Sequence, residues 1–138
     1  YVLVEFPYEM RYKEIHRALN KVILLGLTPV VAHVERYNDV DEKGVQELIN
    51  MGAYIQVNAA SVLKPKLIGD KHKHYKKRAK KYLDAELVHF IASDMHNIDS
   101  RRTYMREAYD IIEEKYGPTI AYELFEKNQE KLLMNKII

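Results

Sequence analysis

The stretch Pro29-Val30-Val31-Ala32-His33-Val34-Glu35-Arg36-Tyr37 decides the fold. It begins as an uninterrupted apolar run and closes on an imidazole, a carboxylate and a guanidinium. An apolar run without polar alternation is the pattern of a parallel strand buried on both faces. Polar residues at its end mark a mouth, because α/β folds gather functional groups where strands give way to loops.

Outward from this run the pattern repeats. Strands are expected over residues 2–6, 29–34, 53–58 and 87–93, the first, second and fourth of them near-continuously apolar. Helical periodicity fills the gaps. Residues 11–25 place Ile15, Leu19, Val22 and Ile23 on one stripe, with Gly26 as the C-cap. Residues 41–51 turn Val45, Leu48 and Ile49 inward, start at a cap on Asp39 or Asp41, and stop at Gly52. Residues 61–84 read as a longer or broken helical region. Residues 101–116, capped by Asp99 or Ser100, carry Met105, Ala108, Tyr109 and Ile112. A last helix, capped by Thr119, runs to about Lys136 with Ile120, Leu124, Leu132 and Leu133 apolar.

This order defines an α/β fold of parallel-strand β/α units. Four such units amount to half of a closed barrel, which takes about eight strands. No internal repeat or linker divides residues 1–138, so a single domain is expected. The chain opens on Tyr1 inside an apolar run, which reads as a piece of something longer.

The chain has 138 residues, 47% hydrophobic and 30% charged, a balance that excludes disorder and suits a packed core. It has no cysteine, which excludes disulfides, thiolate metal sites and a cysteine nucleophile, and which fits a reducing cytoplasm. No apolar run is long enough to span a membrane, and no signal peptide is legible. The net charge of +2 hides an asymmetry, because residues 64–81 hold nine Lys/Arg against Asp70 alone. Two readings fit this stretch: a solvated helix face, or a docking patch for an acidic partner. It matches no nucleic-acid-binding motif, so no nucleic-acid partner is expected.

Three strand ends carry residues of metal-ligand type. They are Val4-Glu5-Phe6-Pro7, the His33-Val34-Glu35-Arg36 run, and Ala92-Ser93-Asp94-Met95-His96-Asn97. In extended chain, residues two apart point to one face, so Asp94 and His96 converge, and His33 and Glu35 share that spacing. Carboxylates and imidazoles without thiolates suit Mn, Fe, Mg or Zn. Each residue also has a plainer reading. Glu5 could be a capping group, His33 a hydrogen-bonded core histidine, and Asp94-x-His96 a loop cap beside a surface histidine. Arg36 and Arg101 follow these strand ends, and a guanidinium grips phosphate oxygens in pairs. His16 lies within a polar helix, His72 and His74 read as solvated, and His89 as packed between elements. Asn58 and Ser61 either line the mouth or cap the next helix.

The Ala32–Tyr37 run, Gln56-Val57-Asn58, the block His89-Phe90-Ile91-Ala92-Ser93-Asp94-Met95-His96-Asn97 with Ser100-Arg101, and Leu124-Phe125-Glu126-Lys127-Asn128 carry a resemblance over essentially the whole chain. Together they resemble the bacterial capsular and exopolysaccharide tyrosine phosphatases of the PHP (polymerase and histidinol phosphatase) superfamily. The resemblance implies a distorted β/α barrel, of which this chain would be the C-terminal portion, lacking the family's His-x-His strand. It implies up to three ions in the complete protein, often manganese, with Glu5, His33, Asp94 and His96 as the ligands present here. It implies Arg36 and Arg101 as phosphate clamps, with Asp94 available for proton transfer. The implied partner is the phosphotyrosine tail of a capsule-assembly tyrosine kinase in the cytoplasm. A non-catalytic fragment or binding module, and a small-molecule phosphoesterase of the histidinol phosphatase kind, stay open as alternatives, and so does a homo-oligomer.

Overall fold

The computed structural model of the protein describes residues 1–66, 68–97 and 102–138. Four parallel strands form one sheet: β1 (Val2–Val4), β2 (Pro29–Val31), β3 (Tyr54–Asn58) and β4 (Phe90–Ala92). Their spatial order is β1-β2-β3-β4, with Leu3 opposite Val30, Val31 opposite Ile55, and Val57 opposite Ile91. Sequential neighbours are spatial neighbours throughout, which is how a barrel is wound, whereas a doubly wound sheet reverses its order.

The helices follow the expected alternation. They are α1 (Tyr12–Leu24), α2 (Glu42–Asn50), α3 (Ala59–Val62), α4 (Lys73–Asp84), α5 (Met105–Tyr116), α6 (Pro118–Tyr122) and α7 (Asn128–Leu133). Ile15 and Leu19 of α1, Val45 and Leu48 of α2, and Ala108 and Ile112 of α5 are fully buried in one core with Val31, Ile55, Val57 and Ile91. The Asp41 carboxylate caps α2 by accepting from Gly44 N at 2.8 Å. Asp39 serves a different helix, accepting from Tyr12 N at the start of α1 at 2.8 Å. Both helices end where a glycine takes a positive φ, Gly26 at 77° and Gly52 at 103°.

Three expectations are corrected. The strands are shorter than their apolar runs, because Ala32 and Val34 are buried in a turn beyond the last paired residue. Strand β1 is not buried on both faces, since Leu3 is 70% exposed at the end of the sheet. The region over residues 61–84 is the broken form of the two expected, with helices α3 and α4 separated by a loop. The C-terminal helix is broken by a π turn over Glu123–Lys127, and α6 starts at Gly117-Pro118 rather than at a Thr119 cap. As a result Ile120 and Leu133 are exposed, and Ala121 and Leu124 are the buried residues of this segment. Helix α5 begins at Met105, and the expected caps Asp99 and Ser100 lie outside the described residues. No helix among the described residues is long and apolar enough to cross a membrane.

Candidate active site

The mouth lies at the C-terminal ends of the strands. Strand β2 stops because His33 takes a left-handed conformation, φ 35° and ψ 52°, rare outside glycine and asparagine. Its amide is held there by Gln56 of β3, whose Oε1 accepts from His33 N at 2.6 Å. The chain then winds a single 3₁₀ turn over Val34–Arg36. In a 3₁₀ turn residues three apart eclipse, which brings Arg36 to the side of His33.

The His33 imidazole is buried, and its Nε2 lies 3.0 Å from Glu5 Oε1, from the end of β1. Its Nδ1 is buried without a hydrogen-bond partner among the described residues. Burial and then the Arg36 charge hold this imidazole below its usual pKa, against the opposing pull of Glu5 and Asp94. Arg36 Nη1 donates to Asp94 Oδ2 at 2.7 Å and reaches Tyr8 Oη at 3.4 Å. Burial opposes the Arg36 charge, but the hydrogen bond to Asp94 together with the charges of Glu35 and Asp94 raises the guanidinium pKa. His96 Nδ1 stands 3.4 Å from Asp94 Oδ1 and 3.0 Å from its carbonyl, with the ring 57% exposed.

Glu5, His33, Arg36, Asp94 and His96 therefore come to one mouth as linked pairs. Among the described residues no three His, Asp or Glu side chains form one cluster able to hold an ion. Arg101 lies outside the described residues. The donor set suits a hard or borderline divalent cation, having carboxylate oxygens and imidazole nitrogens and no thiolate. A buried imidazole nitrogen without a hydrogen-bond partner among the described residues fits such a ligand.

The extended-chain argument fails for Glu35. Because His33 turns the backbone, Glu35 points into the core and is fully buried. Its Oε1 accepts from Asn58 N at 3.2 Å and from Ser61 Oγ at 2.7 Å, and its Oε2 has no partner among the described residues. Burial pushes its pKa up to about 7, against the hydrogen bonds and the Arg36 charge. Asn58 also caps α3, accepting from Ala60 N at 2.8 Å, so Asn58 both caps and lines the mouth, whereas Ser61 lines it from within α3.

Arg36 and Asp94 open onto a cleft of about 690 Å³. Tyr8, Tyr75, Tyr104 and Arg102 line it, residues with no distinctive sequence spacing. The basic stretch also lines it, through Lys66, Lys71 and Lys76. Other basic residues of that stretch have separate tasks. Arg78 of α4 donates to the carbonyls of Tyr37, Asn38 and Val40, tying the turn after β2 to this helix. His89 packs between elements as expected, its ring 4.9 Å from Tyr54 and its Nδ1 accepting from Ile55 N at 3.2 Å.

A parallel, sequentially wound sheet with ligand-type residues and an arginine at its strand ends belongs to the β/α class of folds that carry their functional groups at the C-terminal mouth. The family model for capsular polysaccharide synthesis, CpsB/CapC, matches residues 1–134, and the chain belongs to that family. It is 51% identical to the tyrosine-protein phosphatase CpsB of Streptococcus pneumoniae, over all of this chain and 58% of that protein. It is 33% identical to the tyrosine-protein phosphatase YwqE of Bacillus subtilis, over all of this chain and 53% of that protein. Its fold superposes with a TM-score of 0.84 and 30% identity on the crystal structures of YwqE and CpsB, described as unique metal-dependent tyrosine phosphatases; the match covers 99% of this chain and 54% of that one. The chain thus spans less than two thirds of these relatives.

Proposed function

We propose that this chain forms the phosphate-gripping part of a metal-dependent protein tyrosine phosphatase. Its substrate is the phosphotyrosine tail of a bacterial capsule or exopolysaccharide tyrosine kinase, in the cytoplasm. The observation that carries the reading is the Arg36–Asp94 pair at 2.7 Å, set at a cleft mouth beside the Glu5–His33 pair at 3.0 Å. The names of the relatives support the same reading.

Glu5, His33, Asp94 and His96 are the residues that would hold metal, with manganese first and iron, magnesium or zinc as alternatives. Bound divalent ions supply hydroxide at neutral pH and offset phosphoryl charge. The chain's own residues do the rest. Arg36 presents planar donors to the equatorial phosphoryl oxygens, where charge spreads in the transition state. The Asp94 carboxylate fixes that guanidinium from one side, so its orientation is set before substrate arrives. Arg101 is the second clamp in this reading. Asp94, hydrogen-bonded to Arg36 through Oδ2 and beside His96 through Oδ1, moves the proton in this reading. This chain supplies no thiol, so no phosphocysteine forms on it.

The test is chelation and reloading. Stripped protein should not hydrolyse an aryl phosphate or a phosphotyrosine peptide, and Mn should restore both activities. A rate that survives chelation would overturn the reading.

A further inference from the structure

We propose that the basic wall of the cleft docks acidic residues flanking the phosphotyrosine, so that the favoured partner segment is an acidic peptide. The phosphotyrosine itself rests on the phosphatase reading above; the flanking acids rest on where charge is placed.

The basic stretch divides in two. Lys73, Lys77 and Lys80 are exposed and do not line the cleft, whereas Lys66, Lys71 and Lys76 do. The division comes from the loop before α4, which Asp70 organises. Asp70 accepts from Lys66 N at 2.9 Å, His72 N at 3.0 Å and Lys76 Nζ at 2.9 Å. These bonds, that to Lys76 first, hold its carboxyl down to about 2. Both acids that line the cleft among the described residues are thus engaged, Asp70 by Lys76 and Asp94 by Arg36. Lys66 and Lys71 line the same cleft as Arg36 and are exposed, outside these two pairs.

The surplus positive charge therefore lies beside the phosphate position rather than on it. That layout matches a phosphate followed or preceded by carboxylates along an extended segment. A nucleic-acid strand fits it less well, because its repeating phosphates would run past the Asp70 and Asp94 carboxylates. Tyr8, Tyr75 and Tyr104 give the cleft apolar ring faces for an aromatic side chain.

The experiment compares phosphotyrosine peptides with Glu, Gln or Lys at the flanking positions, using the metal-loaded protein and a Lys66→Glu/Lys71→Glu variant. A Lys66→Gln/Lys71→Gln variant checks for effects of reversed charge. The expected result is a preference of about tenfold for the Glu peptide at low salt, carried by KM. It should shrink at high salt and in the Gln variant, and turn toward the Lys peptide in the Glu variant. Small aryl phosphate turnover should stay within about twofold in all of them. Equal effects on the Glu and Gln peptides would overturn the proposal. Binding of the same peptides carrying a non-hydrolysable phosphonate, read by fluorescence anisotropy, reports docking independently of turnover. If aryl phosphate is never hydrolysed while anisotropy still ranks Glu over Gln over Lys, the phosphatase reading fails and the docking surface stands. A single-stranded oligonucleotide that binds more tightly than the Glu peptide would overturn the assignment of the partner.

Discussion

The Arg36 guanidinium lies 2.7 Å from the Asp94 carboxylate, which ties the loop after β2 to the loop after β4 across β3. Both side chains are largely shielded, 15% and 21% exposed, so the pair is held in a defined orientation. Arg36→Ala should lower kcat/KM for a phosphotyrosine peptide by about 10²–10³-fold, the scale of losing one aimed donor to a charged transition state. Arg36→Lys should recover little, because a point charge cannot replace the planar fork. Steady-state kinetics check both, and full activity in Arg36→Lys would contradict the assignment.

Glu5 and His33 should matter first for metal. His33→Ala and Glu5→Gln should each weaken Mn binding by at least about 10–100-fold, measured by calorimetry on stripped protein. Wild-type affinity in His33→Ala would return His33 to the role of a buried core histidine.

Glu35 separates hydrogen bonding from charge. Glu35→Ala removes the acceptor for Asn58 N and Ser61 Oγ and should cost about 2–4 kcal/mol in urea unfolding at neutral pH. Glu35→Gln keeps an acceptor and removes a buried charge, and should stay within about 1 kcal/mol of wild type. Equal losses in the two variants would show that the carboxylate itself is required.

His89 sets a pH dependence of stability. Burial lowers its pKa from 6.5 to about 4. The unfolded chain therefore binds the proton more readily, and stability falls as pH drops from about 6.5 toward 4, by up to about 3 kcal/mol. Above that window the imidazole is neutral in both states and contributes no slope. His89→Asn keeps an acceptor for Ile55 N without titrating. The wild-type minus variant stability should therefore fall between pH 7 and pH 5, read by denaturant unfolding; parallel profiles would exclude His89 as the source.

The sheet was legible because its apolar runs are bounded by glycine, proline and polar clusters, and the strand-end residues were legible as motifs. The rest depended on geometry that periodicity does not encode. His33 and Glu35 share the Asp94/His96 spacing, yet one left-handed residue sends Glu35 into the core. Leu133 fits an apolar stripe, yet a π turn ahead of it adds residues to one winding and rotates the face that follows. The basic run carried two readings, and the fold divides its lysines between an outer face and the cleft, through a loop that Asp70 folds. Tyr8, Tyr75 and Tyr104 come from separate segments, so only the fold brings them to one cleft.

Leu3 has a meaning beyond its exposed side chain. On β1 the groups of Val2 and Val4 bond toward β2, with Val2 N donating to Thr28 O at 3.0 Å and Ala32 N donating to Val4 O at 3.0 Å. Alternation along a strand then turns the main-chain donor and acceptor of Leu3 to the other side, where no described strand pairs with it. An unpaired border of this kind is a template for one more strand, and an apolar side chain standing on it adds adhesion. Kept apart from a strand that fits there, this sheet would pair border to border with its own copies, and charge placed at Leu3 would be the simplest guard against precipitation.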